Sequence, residues 1–461
     1  MKRGRHGMQA MEFHGEKVLV FGAGKSGIGS CDLLGQMGAS VILYDGNASL
    51  DKDETRQKAG EGYPLDIVTG ELPEEYLSSV SLVIMSPGVP TDLPLVSRFR
   101  ALGIPVWGEV ELAYRAGKGR LMAITGTNGK TTTTALLGKI MGDYYPSVFV
   151  VGNIGTPYTS MALKMREDSV TVAEISSFQL ETIQTFAPEV SAILNITEDH
   201  LNRHHTMEEY IRVKELITLN QGPEQTCVLN YEDEVLRDFG QKTKARVIYF
   251  SSLRRLPEGI FLEGDTIILK TATQEIPIIR TDELKILGRH NHENVMAAAA
   301  MAYAAGVPVE SLRKSIAEFT AVPHRIEFVR EVNGVAYYND SKGTNPDAAI
   351  KGIQAMNRPT YLIGGGYDKG SSYDEWINAF DGKVKALVLI GQTREKIRDA
   401  ALRLGFTNVF LCDNLKEAVL KCHDMARENE AVLLSPACAS WGQFDNYEQR
   451  GDLFKEYVKE L

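Results

Sequence analysis

With 461 residues, 43% of them hydrophobic and 24% charged, the chain is too long for one ordinary domain and has apolar side chains enough for several cores. A formal net charge of −10 argues against a nucleic-acid partner, and no apolar run approaches the length of a membrane span. Five scattered cysteines, Cys31, Cys227, Cys412, Cys422 and Cys438, fit reduced thiols in a cytoplasm better than a disulfide frame or a zinc site. Residues 1–10 are basic with no apolar stretch behind them, and read as a disordered tail rather than a signal peptide.

Three times along the chain an apolar strand runs straight into a glycine turn. These are Val18–Phe21 before Gly22-Ala23-Gly24, Leu121–Thr125 before Gly126, and Tyr361–Ile363 before Gly364-Gly365-Gly366. Further strand and helix patterns follow each, which predicts three α/β units. Ala116-Gly117-Lys118-Gly119-Arg120 reads as the first linker, and Thr320–Pro323, between a helical run Val309–Phe319 and a strand Ile326–Val332, as the second boundary.

In the first unit, Gly22-x-Gly24-x-x-Gly27 opens a helix and Asp45 ends the next strand, Val41–Tyr44. Alone this is a dinucleotide pattern with Asp45 on a ribose, although such turns also take other phosphorylated ligands. A second strand, Val80–Met85, ends in Ser86-Pro87-Gly88, whose hydroxyl and backbone suit a diphosphate or merely make a tight turn.

In the second unit the strand Leu121–Thr125 leads to Gly126-Thr127-Asn128-Gly129-Lys130-Thr131 and a helical stretch Thr132–Met141. Glycines let backbone N–H groups crowd a polyphosphate, Lys130 adds a point charge, and the Thr131 hydroxyl can hold Mg²⁺. Five residues before Gly129 the usual phosphate loop has glycine, whereas this chain has Ile124, so the loop is a shortened variant. Two further strands, Val170–Ala173 and Val190–Ile196, lead to Glu174 and to Thr197-Glu198-Asp199-His200. Parallel strands end at one sheet edge, so Glu174 and His200 are expected near Lys130 and Thr131, a donor set suited to Mg²⁺ or Mn²⁺. Lys214 falls in the helical run Met207–Leu219, where the residues alone suggest a solvated face.

The shortened loop resembles that of the Mur ligases of peptidoglycan precursor synthesis. Similar motifs cover nearly the whole chain: Gly152-Asn153-Ile154-Gly155, Glu174-x-Ser176-Ser177-Phe178-Gln179-Leu180, Thr197-Glu198-Asp199-His200-Leu201, Gly288-x-His290-Asn291-x-x-Asn294, Pro323-His324-Arg325 and Asp340-Ser341-Lys342-x-Thr344-Asn345-Pro346. The segment Ser435-Pro436-Ala437-Cys438-Ala439-Ser440-Trp441 through Gly451 looks most like the family member that adds D-glutamate. It departs from that member's commonest form at Trp441, Gly442 and Tyr447.

The resemblance implies an α/β fold of three domains. They are a Rossmann-like N-terminal domain (11–115) for a UDP substrate, a central, mostly parallel P-loop ATPase-like domain (116–322) and a Rossmann-like C-terminal domain (323–461) for the amino acid. It implies an ATP-dependent amide ligase adding D-glutamate to UDP-N-acetylmuramoyl-L-alanine through an acyl phosphate, with ADP and phosphate released. ATP would meet Gly126, Thr127, Asn128, Gly129, Lys130, Thr131 and Thr132, its adenine Asn291 and Asn294, its ribose Asp340, and its phosphates Arg325 and Lys342. Mg²⁺ or Mn²⁺ would be held by Thr131, Glu174, His200 and a carbamylated Lys214, so that Lys130, Glu174, His200 and Lys214 carry the catalysis. Lys25, Ser26, Asp45, Ser86, Pro87 and Gly88 would take the UDP end, and Asn153 and His200 the muramoyl end. Thr344, Lys369, Ser440, Trp441 and Tyr447 would surround D-glutamate.

The expected partners are small molecules only, with no nucleic acid and no membrane, for a cytoplasmic monomer. The rival readings are a family member adding another amino acid and, from a different class, a nicotinamide-dependent oxidoreductase. The latter would use Gly22-x-Gly24-x-x-Gly27 and Asp45 but leave Lys130, Glu174 and His200 without work.

Overall fold

The computed structural model describes residues 12–153, 155–320 and 322–461. The basic segment 1–10, Ile154 of the Gly152–Gly155 motif and Ala321 in the second boundary lie outside the described residues.

The first sheet contains β1 (Lys17–Phe21), β2 (Ser40–Asp45), β3 (Leu65–Thr69), β4 (Leu82–Met85) and β5 (Val106–Gly108), in the order β3-β2-β1-β4-β5. All its pairings are parallel. Helices cover both faces of such a sheet, which is why β4 is buried throughout and reads as an unbroken apolar run. Phe21 lies opposite both Tyr44 and Met85, so the register delivers Gly22, Asp45 and Ser86 to one edge.

The second sheet has nine strands: β6 (Arg120–Thr125), β7 (Val148–Gly152), β8 (Val170–Glu174), β9 (Val190–Ile193), β10 (Thr226–Asn230), β11 (Arg246–Ser251), β12 (Gly259–Glu263), β13 (Thr266–Lys270) and β14 (Glu275–Arg280). Their order is β14-β13-β12-β11-β10-β9-β6-β8-β7, parallel from β7 to β12 and antiparallel between β12 and β13. Ile124 is opposite Glu174 and Thr125 opposite Ile193, so the turn after β6 opens between two other strand ends. The run Val190–Ile196, expected as strand throughout, leaves the sheet after Ile193 because Asn195 pairs with the phosphate loop instead. The helix expected over Met207–Leu219 is α-helical over Met207–Glu215, capped by the Thr206 side chain on Glu209 N, and tightens to a 3₁₀ turn at Leu216–Thr218.

The third sheet joins β15 (Glu327–Val332), β16 (Val335–Asn339), β17 (Thr360–Gly364), β18 (Val384–Leu389), β19 (Val409–Leu411) and β20 (Ala431–Leu434) in the order β15-β16-β20-β17-β18-β19. Only the β15–β16 pairing is antiparallel. Asn339 and Ile363 both face Leu434, which brings Asp340, Gly364 and Ser435 to one edge.

The described residues form two compact units, one running to Ile279 with Glu293–Ile316, the other made of Arg280–His292 and Ala317–Leu461. The first two sheets share a unit because one apolar core runs through both, from Val18 and Leu34 through Leu112 and Tyr114 to Ile175 and Phe186. Each such large side chain contributes about 1.5–3 kcal/mol by leaving water. The stretch Ala116–Arg120 is accordingly built in rather than slack: a Cβ on Gly119 would overlap Ser169 O, and Arg120 N donates to the same carbonyl at 2.8 Å. The second unit carries its own cores on the two faces of its sheet.

Candidate active site

The phosphate loop is held from beneath. Gly126 and Gly129 have φ of 146° and 85°, values that L side chains rarely adopt, and the helix Lys130–Tyr144 starts immediately after Gly129. Asn195 Oδ1 accepts from Asn128 N at 2.8 Å and Asn195 Nδ2 donates to Asn128 O at 3.1 Å. Thr127 Oγ1 accepts from Thr197 N at 3.0 Å, and Asn294 Oδ1 accepts from Thr133 Oγ1 at 3.3 Å. The ammonium of Lys130 lies over the loop and donates to Gly126 O (2.9 Å) and Thr127 O (3.0 Å). Thr131 is half-buried on the first helical turn and Thr132 is buried. A helix N-terminus, a lysine and glycine-freed backbone amides thus converge where polyphosphate charge is best stabilised.

Glu174 ends β8 beside this loop and is 2% exposed. Its Oε1 accepts from Asn153 Nδ2 at 2.7 Å, while Oε2 is buried with no hydrogen-bond partner. A buried carboxylate oxygen left unpaired costs about 1–3 kcal/mol or more, so the site fits a cation. Among the described residues no cluster of three or more His, Cys, Asp or Glu side chains is assembled as a metal cage. A Mg²⁺ site typically uses one or two carboxylates completed by phosphate oxygens and water, which this donor set matches.

Lys214 is turned inward, not to solvent. It is 1% exposed, its Nζ donates to Gly126 O at 2.9 Å, and it stands 4.6 Å from the centre of the Tyr210 ring. Burial, reinforced by the positive charge of Lys130, pushes its pKa down to about 7. His200 is exposed at the start of the short helix Leu201–His204, with φ of 55° and its ring edge-on to Phe178 at 4.9 Å. This left-handed backbone at a non-glycine residue is a strained conformation of the kind found at working sites.

At the edge of the first sheet, a cavity of about 770 Å³ is lined by Gly22–Ser26, Tyr44–Gly46 and Ser86–Pro90, among others. It gathers Lys25, Ser26, Asp45, Ser86, Pro87 and Gly88, the residues expected at the UDP end. Asp45 Oδ2 accepts from Ala23 N at 2.9 Å and its Oδ1 from Asn47 N at 2.9 Å, bracing the glycine turn. Ser86 Oγ donates to Gly22 O at 2.9 Å.

In the second unit, Asn291 donates from Nδ2 to Leu287 O at 2.7 Å within the first turn of the helix Arg289–Ala304. Arg325 is exposed between His324 and Ile326, both at positive φ (65° and 47°). Asp340, expected at the ATP ribose, is enclosed. It is 4% exposed, its Oδ2 accepts from Ser435 Oγ (2.7 Å) and its Oδ1 from Ile326 N (3.3 Å), and burial pushes its pKa up to about 7. Lys342 Nζ lies 5.6 Å from the Tyr447 ring centre, and Thr344 is half-buried nearby in sequence. Lys369 Nζ sits 4.8 Å from the ring centre of the exposed Trp441, itself edge-on to Tyr367, while Ser440 is buried. Arg450, fully buried, donates to Ser341 Oγ (2.9 Å), Ser341 O (2.9 Å) and Cys438 O (3.2 Å), tying the Ser341 loop to the Ser435–Ser440 segment.

Models of three domains match successive parts of the chain: the MurD-like N-terminal domain at residues 16–108, the Mur ligase middle domain at 124–302 and the Mur ligase glutamate ligase domain at 324–438. A UDP-N-acetylmuramoylalanine--D-glutamate ligase of Lachnoclostridium phytofermentans is 57% identical across 98% of this chain and 99% of its own length. Its namesake in Clostridioides difficile is 43% identical across 98% and 100%. The chain belongs to the Mur ligase family. The Mur ligase fold is evident in solved structures too: MurC of Thermotoga maritima (20% identity, TM-score 0.58, 96% of this chain and 99% of that one) and a MurF of Acinetobacter baumannii (17%, 0.60, 91% of each).

Around the Mur ligase motifs stand polar residues that sequence reasoning passed over. Glu109 is buried, accepts from Gln179 Nε2 at 2.8 Å through Oε1, and has an unpartnered Oε2; burial pushes its pKa up to about 7. Glu111, also fully buried, accepts from the backbone N–H groups of Gln184, Thr185 and Phe186 at 2.9–3.0 Å and from Arg115 Nε at 2.7 Å. His204 is buried with Nε2 at 3.0 Å from Ser177 Oγ, and Arg203 pairs with Glu181. The only local signal was a Glu-x-Glu pair opening a helix, Glu109–Ala116, whose other residues are apolar save Arg115.

Proposed function

We propose that this chain is an ATP-dependent ligase that joins D-glutamate to UDP-N-acetylmuramoyl-L-alanine in peptidoglycan precursor synthesis. The observation that carries the reading is the convergence of Lys130, Glu174 and Lys214 on one shortened phosphate loop, in a chain 57% identical over its length to a ligase of that name. The carboxylate of the UDP substrate attacks the γ-phosphorus of ATP, the bond to ADP breaks, and an acyl phosphate forms. The amine of D-glutamate then attacks the acyl carbon, phosphate leaves with the bonding pair, and the amine loses a proton.

The first step brings two anions together, so stabilising charge matters most. Lys130 and the N-terminus of its helix neutralise the ATP phosphates, while Gly126–Thr132 wrap them. When bound, Mg²⁺ supplies further positive charge between the anions; Thr131, Glu174 through its unpartnered oxygen, and His200 would hold it. Lys214 completes that set in our reading. An amine with a pKa of about 7 has a substantial unprotonated fraction near neutral pH, and its free pair can add to CO₂ with loss of a proton. The resulting carbamate exchanges a cation beside the loop for an anionic oxygen ligand.

In the same reading residues 11–115 bind the UDP substrate in the 770 Å³ cavity, with Asn153 and His200 towards the muramoyl end. Residues 116–322 bind ATP, its adenine at Asn291 and Asn294, with Arg325 and Lys342 supplying charge for the phosphates and Asp340 assigned to the ribose. Residues 323–461 hold D-glutamate through Thr344, Lys369, Ser440, Trp441 and Tyr447. The enzyme works as a monomer in the cytoplasm, where its nucleotide substrates are. The test is phosphate release from ATP with UDP-N-acetylmuramoyl-L-alanine across a panel of amino acids. D-glutamate alone is expected to be turned over efficiently; equal turnover of another amino acid overturns the assignment.

A further inference from the structure

The lip of the glycine-turn cavity and the turn carrying His200 are tied together by one largely enclosed carboxylate, that of Glu181. Glu181 follows the helix Ser177–Leu180, and Arg203 lies in Leu201–His204; their side chains are 10% and 12% exposed. Glu181 Oε2 accepts from Arg203 Nη2 at 2.7 Å and from Thr91 Oγ1 at 3.0 Å. Arg203 Nη2 also donates to Val89 O at 3.0 Å. The other oxygen of Glu181 lies 3.6 Å from His204 Nδ1.

Both ends of this tie reach a ligand-bearing element. Val89 lines the cavity, its N donates to Ser86 O at 3.0 Å, and its Cγ2 lies 2.8 Å from where a Cβ on Gly22 would stand. At the other end, Arg203 N and His204 N both donate to His200 O, at 2.9 and 3.0 Å. Phe178 touches both Arg203 and His200, with the Arg203 guanidinium 5.0 Å from its ring centre and the His200 ring at 4.9 Å. An ion pair so largely withdrawn from water adds little net stability once desolvation is counted, so fixing one geometry is its better-attested use.

We propose that Glu181 and Arg203 are positioning residues, which hold the cavity lip and the His200 turn at a set spacing so that a substrate anchored by its nucleotide presents its distal carboxylate at the phosphate loop. The proposal rests on the functional reading above. It makes the enzyme selective for the length of the substrate between nucleotide and carboxylate, not only for the groups at its ends.

The test compares Arg203→Lys, Glu181→Gln and Thr91→Val with the wild type. For Arg203→Lys and Glu181→Gln, kcat is expected to fall at least tenfold, while the KM for ATP and the Kd for UDP, which has only the nucleotide end, stay within twofold. Thr91→Val removes a single hydroxyl and is expected to lower kcat about threefold, keeping the test open if the charged variants fold poorly. The Glu181→Gln, Arg203→Lys double variant should be no worse than its worse parent. Wild-type kcat in Arg203→Lys or in Thr91→Val overturns the proposal, as does a parallel loss of ATP and UDP binding. Independently of turnover, UDP-N-acetylmuramoyl-L-alanine should slow amide hydrogen exchange of residues 198–205 in the wild type but not in Arg203→Lys. Equal slowing in both overturns it. If the wild type uses a different amino acid, the functional reading fails, and the ratio of variant to wild type on that amino acid still judges the tie.

Discussion

Lys214 shows how one residue can look ordinary in sequence and exceptional in place. Its charge type, set in an amphipathic helix, suggests solvent; its contacts are Gly126 O and the Tyr210 ring. An ammonium there opposes the neighbouring Lys130, which is why we assign it a carbamate. Lys214→Ala is expected to lower kcat at least a hundredfold and to recover part of it when a small carboxylate such as acetate is added. Full activity of the variant, or no recovery, counts against the assignment.

Glu109 offers a test of burial alone. Its carboxyl holds a proton to about pH 7 in the folded chain, whereas the unfolded chain releases it in the ordinary carboxyl range. Between those values the folded state binds more protons, so the stability it contributes is full at low pH and is lost as pH rises through about 7. Glu109→Gln keeps the acceptor for Gln179 and removes the ionisation. It should melt with the wild type at pH 5 and be more stable at pH 8, on the order of 1–3 kcal/mol. A gain at pH 5 instead would reverse the sign of the argument.

At the scale of elements, the phosphate loop was legible because its information is local: glycines, a lysine and hydroxyls within six residues, at the end of an apolar strand. Glu174 was legible for a related reason, since it ends a strand paired in parallel with the one that leads into the loop. The supports were not. Glu111 meets residues 184–186 more than 70 positions away, and Arg203 meets Val89 over a separation of 114. Those residue types read as solvated helix faces until the chain is folded, and the enclosure of Asp340 by Ser435 and Ile326 was equally hidden.

Gly129 tests the loop directly. Its φ of 85° alone costs a side chain about 1–2 kcal/mol, and a Cβ there would also overlap Asn294 Oδ1. Gly129→Ala is expected to lower the melting temperature by a few degrees and to raise the KM for ATP at least tenfold. An unchanged KM would mean that the loop tolerates a reshaped turn.

For the whole molecule, three α/β sheets were readable from three strand-to-glycine turns, but their grouping was not. Grouping depends on which apolar faces meet, and residues such as Leu112 and Tyr114 join the first two sheets in one core. Calorimetry should therefore resolve two unfolding transitions, one for each unit, with the first two sheets melting together. A separate transition for residues 12–115 would contradict the shared core.

The boundary between the units is crossed three times by the chain, after Ile279, His292 and Ile316. Neither unit is a single stretch of sequence, and that has a consequence for how the protein is made. As the chain leaves the ribosome, the segment 280–292 emerges well before residues 317–461, with which it packs, and must wait for them. The first unit is likewise incomplete until Ile316 has been added. At translation rates of about 5–20 residues per second, the last 145 residues take roughly 7–29 seconds to arrive, an interval in which the first unit can be complete and the second only begun.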